Sequence, residues 1–94
     1  MDQERRKRLS LELTLLQLNK WKAKDIRAFY NCASEKANRI RKAALASGGK
    51  IDFDPHSVTV RSVMALEGTT PEAEIKKRAI EWNEGATPGT ENNL

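Results

Sequence analysis

Ninety-four residues with a single cysteine suffice for one domain with a small core, and no internal disulfide or cysteine-based zinc site can form. The chain has no run of about 18 apolar residues, so a transmembrane helix is excluded, and Cys32 alone fits a reducing cytoplasm. The net charge of +4 hides an asymmetry: residues 1–50 hold 13 Lys/Arg and 5 Asp/Glu, whereas residues 51–94 hold 4 and 8. A basic half of this kind points to a polyanionic partner more than the overall charge does.

Residues 1–8 are polar and strongly basic and read as a flexible arm. The basic patch Arg5–Arg8 is followed by mixed polar and apolar residues, not the continuous apolar centre of a secretory signal. Leu9, Leu11, Leu13 and Leu15 alternate as in a strand. Leu9, Leu13 and Leu16, or Leu11, Leu15 and Leu18, also recur at helical steps. Leucine, glutamine and glutamate favour a helix over 3–19, with Trp21 closing the core near its end.

A second helix is expected over 24–30 and a third over 34–46. Between them Asn31, Cys32 and Ala33 form a turn of small residues, where Asn31 tolerates a left-handed backbone and Ser34 can cap the third helix. Ala37, Ile40, Ala44 and Leu45 form one buried stripe, leaving Lys36, Arg39, Arg41 and Lys42 mostly off it. Ser47, Gly48 and Gly49 supply the stop.

The period then changes. Ile51 and Phe53, then Val58 and Val60, alternate with polar residues around the turn-rich Asp54–Ser57, which predicts a short β-hairpin over 50–60. A helix opening at Asp54 and Pro55 competes, but the β-branched Val58, Thr59 and Val60 favour the hairpin. Residues 61–67 read as a short helix ended by Gly68. Thr70 as cap and Pro71 as first residue start a last helix running to about Asn83, with Ile75, Ala79 and Trp82 as its apolar stripe. Residues 85–94 carry no apolar face and read as a disordered tail, so the domain spans 9–84. The fold class is mostly α, with four to five helices and a winged helix-turn-helix layout.

No catalytic constellation is legible, and the chain reads as non-enzymatic, with neither cofactor nor metal. His56 stands alone in a turn. Asp52 and Asp54 form the wet face of the expected hairpin. Gly48 and Gly49 lack the Lys-Ser/Thr of a phosphate loop, and Cys32 replaces a small packed residue. The third helix instead has the chemistry of a DNA reader. Glu35, Lys36 and Asn38 stand at the early positions that reach base edges, where Asn38 can pair with adenine, and Arg39 can pair with guanine. Lys24, Lys42 and Lys50 suit the sugar-phosphate chain, and Ser34 and Arg41 complete the candidate DNA-binding set. The bland alternative is a solvated helix on which Arg39 pairs with Glu35 one turn back.

The order of helix-turn-helix, glycine stop, wing and short helix resembles the excisionase-like winged helix-turn-helix proteins of phages and integrative conjugative elements. The resemblance runs from Asp25-Ile26 through Ala37-Asn38-Arg39-Ile40-Arg41-Lys42-Ala43 to Val63-Met64-Ala65-Leu66-Glu67-Gly68, about half of the chain. It implies a protein that binds double-stranded DNA, either as a recombination accessory factor working with an integrase or as a transcription regulator of a mobile element, and that can form a homo-oligomer on DNA. The leucine-rich first helix and the acidic last helix are not standard parts of that pattern. They carry the alternative, a protein-protein interaction module contacting an integrase or a second copy.

Overall fold

The computed structural model describes residues 2–86 and is mostly helical, with five helices and one two-stranded antiparallel sheet. The elements in chain order are α1 Gln3–Leu16, β1 Lys20–Trp21, α2 Ala23–Tyr30, α3 Ser34–Ala46, β2 Val58–Thr59, α4 Val60–Leu66 and α5 Pro71–Ala86. Of the tail expected over 85–94, Gly85 and Ala86 end α5, and residues 87–94 lie outside the described residues.

The segment read as an arm is the start of α1. Asp2 caps it, its carboxylate accepting from Arg5 N–H at 2.8 Å. Leu9, Glu12, Leu15 and Leu16 face inward at helical spacing, and Leu11, which a strand would have put beside Leu9, is 40 % exposed. The helix stops at Leu16, three residues before the expected end. There the carbonyl oxygen of Leu15 accepts from Leu18 N–H at 3.1 Å and from the indole Nε1 of Trp21 at 2.8 Å, which closes the helix end as the chain turns into β1.

Trp21 is fully buried and is the largest side chain of a core that also contains Leu15, Leu16, Ile26, Phe29, Ala37, Ala44, Val58, Val60, Val63 and Met64. Its ring lies 4.8 Å from that of Phe29, whose other aromatic contact is edge-on with Tyr30 at 5.0 Å. Around this core α1 and α5 run antiparallel, since Arg5 meets Glu81, Glu12 meets Arg78, and Leu16 shares a hollow with Pro71 and Ile75.

The hairpin expected over 50–60 survives only at its base. Lys50 forms a single bridge to Val58, and Thr59 N–H reaches Gly49 O at 3.0 Å. The partner strand of β2 is β1, from before α2, with Lys20 opposite Thr59 and Trp21 opposite Val58. Residues 51–57 instead form two successive turns, closed by Asp54 N–H to Ile51 O and Ser57 N–H to Asp54 O, both at 3.2 Å. The β-branched run is divided as well. Val58 and Thr59 pair, Thr59 then caps α4 through its hydroxyl to Ser62 N–H, and Val60 becomes the first helical residue, buried from there. The helix opening at Pro55 is not formed.

The remaining punctuation matches the local signals. Gly68 ends α4 with a φ of +74°, and the Thr70 hydroxyl accepts from Ala73 N–H at 3.1 Å ahead of Pro71. Gly49 is required by contact: a Cβ there would lie 2.2 Å from Ser62 Oγ and 2.8 Å from Ala44 O.

Candidate nucleic-acid interface

The α2–α3 unit is built around its turn. Asn31 ends α2 in the left-handed region (φ 52°, ψ 54°), its N–H and that of Cys32 both directed at Arg27 O. Two carbonyls of the last turn of α2 are taken from outside: Arg8 of α1 donates to Ala28 O at 2.7 Å and to Phe29 O. A cation there complements the negative end of the helix dipole and fixes the turn relative to α1. Cys32 packs at the edge of the core, half-buried.

Ala33, not Ser34, is the N-cap of α3, and it makes no side-chain hydrogen bond. Alanine has no oxygen with which to accept one. Ser34 is the first helical residue and is exposed. Ala37 and Ala44 face the core, with Ile40 and Leu45 packed against it. Opposite them Glu35, Asn38, Arg39 and Lys42 recur at three- and four-residue steps, all exposed, as one continuous outer stripe. Lys36 is exposed but flanks a hollow shared with Tyr30, Ile40, Val63, Leu66 and Glu67, which sets it towards α4. Arg41, between the inward positions 37 and 44, is half-buried at the inner edge. Lys24 is exposed in the first turn of α2. Lys50 is exposed where the chain leaves α3 for its bridge to Val58. Thus Ser34, Asn38, Arg39 and Lys42 share one exposed helix face, Lys36 and Arg41 flank it on the same helix, and Lys24 and Lys50 are exposed on neighbouring segments.

Ion pairing sorts the charges. Four carboxylates of the second half are held by cations of the scaffold: Glu81 by Arg5, Glu72 by Arg61, Glu74 by Arg78, and Asp54 by Lys20 at 2.6 Å. Each of these four carboxyls is held below its ordinary value, chiefly by its hydrogen bond to that cation. Buried Glu12 lies between Arg8 at 2.7 Å and Arg78 at 2.8 Å. Between residues 22 and 50, by contrast, stand eight Lys/Arg and only two carboxylates, Asp25 and Glu35. None of the eight forms an ion pair among the described residues, and Glu35 does not reach Arg39. Asp25 is engaged by Lys22 N–H at 2.9 Å. Lys22 and Arg27, both exposed, enlarge the basic surface beyond the residues singled out from sequence. Their signal was present in the local charge balance, but it carried no motif.

Among the described residues no group of three or more His, Cys, Asp or Glu is placed to hold a metal ion, and no helix is long and apolar enough to cross a membrane. No family model, curated protein or solved structure matches the chain.

Proposed function

We propose that the chain is a non-enzymatic, sequence-specific DNA-binding protein of winged helix-turn-helix type. In this reading it is an excisionase-like recombination accessory factor or a regulator of a mobile element. The observation that carries the reading is the sorting of charge. Arg5 and Arg8 of α1 and Arg78 of α5 are paired with carboxylates, although Lys7, Lys76 and Lys77 of the same helices are not, whereas none of the eight Lys/Arg between residues 22 and 50 is paired among the described residues. α3 enters the major groove with its outer stripe, Asn38 and Arg39 reading base edges and Lys42 holding phosphate. Lys24 and Lys50 hold the backbone on either side, and the uncapped N-terminus of α3 adds its positive dipole end. The protein-interaction alternative assigns its contact surface to α1 and α5. These two helices already face each other through Arg5–Glu81, Glu12–Arg78 and the stacking of Arg6 on Trp82 at 4.6 Å, which favours a scaffold role for them.

The test is a titration of duplex DNA at two salt concentrations. With about five phosphates contacted, affinity falls several hundredfold between about 50 and 200 mM salt. Absence of binding to any duplex at the lower concentration removes the reading.

A further inference from the structure

Phe53 is the most exposed large apolar side chain among the described residues, at 105 % of its reference accessibility. Its φ is +68°, a region that disfavours bulky L-residues, and it sits third in the turn Ile51–Asp54, where glycine would be the unstrained occupant. The loop is firmly anchored. Lys20 Nζ holds Asp54 Oδ2 at 2.6 Å, Ser57 N–H holds Asp54 O at 3.2 Å, and Ser57 and Val58 are buried beneath it. An aromatic ring is therefore displayed from a fixed corner with none of the described residues over it, and strain held in this way is a reason to look for a function.

The surroundings indicate the partner. The loop leaves the end of α3, with unpaired Lys50 at its root. The charge of Asp54 is cancelled by Lys20, so Asp52 is the one free carboxylate of the turn. A partner that answers free cations and also offers flat π-faces is nucleic acid. An apolar protein pocket would answer the ring and leave the cations unmatched.

We propose that Phe53 is a stacking wedge: with α3 seated on duplex DNA, the ring enters a base step beside it and bends the duplex. This rests on the DNA-binding reading above. The test uses a mixed-sequence duplex of about 30 base pairs with fluorophores at both ends, so that one titration reports affinity and end-to-end distance. Wild type shortens that distance. Phe53→Ala binds about tenfold more weakly and loses the shortening while keeping the same salt slope, since a stacked ring is removed and no phosphate contact is lost. Phe53→Trp keeps both affinity and bend. Phe53→Ala and Phe53→Gly melt no lower than wild type, because the ring supports nothing inside the protein. If Phe53→Ala matches wild type in affinity and end-to-end distance, the wedge is wrong and DNA binding stands. If wild type binds no duplex, both readings fall. A lower melting temperature for the alanine and glycine variants makes the ring structural and overturns the wedge.

Discussion

Glu12 of α1 meets Arg78 of α5 at 2.8 Å, and the second oxygen of the same buried carboxylate accepts from Arg8 at 2.7 Å. Arg78 continues the network to Glu74 and lies over the ring of Phe29 at 5.1 Å, while Arg8 continues it to the carbonyls that end α2. One carboxylate thus links the two outer helices to the turn that aims α3.

Glu12→Gln keeps the shape and removes the charge that holds two guanidiniums. Breaking a buried pair on one side leaves the other charges uncompensated, so a loss of about 3 kcal/mol is expected, well above that of a surface pair. Chemical denaturation measures it. An unchanged midpoint would mean that water reaches this network freely. Arg5→Ala, at the exposed end of the same interface, serves as the comparison and should change stability much less.

Acid should unfold the protein through the same helices. Glu72, Glu74, Glu81 and Asp54 are held below their ordinary values of 4.5 and 3.8 by the cations they face. For a carboxylate with a depressed folded-state value, the stability contributed is complete above the ordinary value and is lost as pH falls through the folded one. The melting temperature is therefore expected to be flat from neutrality down to about pH 5 and to decline below about pH 4.5. A decline already complete above pH 5 would assign the transition to another group.

The parts legible in the sequence are those fixed by neighbours in the chain. α3 begins and ends where its alanine stripe and the Ser47–Gly49 stop place it. Asn31 takes the left-handed turn, and Thr70 with Pro71 opens α5. The pairing of β1 with β2 was not legible, because two-residue strands show no alternation and the partners, Lys20 with Thr59 and Trp21 with Val58, lie far apart in the chain. The same distance hid the split of Val58, Thr59 and Val60 between strand, cap and helix, since Asn19 O claims Val60 N–H from outside the hairpin. At the site, the cations of α3 were legible one by one, but which of them face outward depended on the packing of α2 and α4. That packing moves Arg41 inward and turns Lys36 aside. Arg8 read as part of an arm because its long-range partners, Ala28 O and Phe29 O, are backbone atoms that leave no trace in composition.

The two glycines after α3 separate two kinds of constraint. Gly48 has a φ of +95° and open space around its missing side chain, so Gly48→Ala meets backbone strain alone, about 1–2 kcal/mol. Gly49 has no such angle, but a Cβ would press on Ser62 Oγ at 2.2 Å and on the backbone oxygen of Ala44 at 2.8 Å, so α3 and α4 must separate. Gly49→Ala should therefore be the more destabilising, by about 3 kcal/mol or more, in the range of overpacked cores. Equal effects would place the strain in the loop and not at the helix contact.

Reading and holding can be separated on α3 itself. Arg39 and Lys42 are both exposed, lie three residues apart on the outer stripe and carry no ion pair among the described residues, so neither substitution should change the fold. If Arg39 makes a bidentate contact to guanine, Arg39→Ala costs about 1–3 kcal/mol on a preferred site and much less on random duplex. If Lys42 holds a phosphate, Lys42→Ala weakens both alike and lowers the salt slope by about one. Selection of a preferred site from a random pool, followed by titration of both variants at two salt concentrations, gives all four affinities. An Arg39→Ala protein with undiminished site preference would move the reading role away from the outer stripe of α3, to Asn38 or to the loop that carries Phe53.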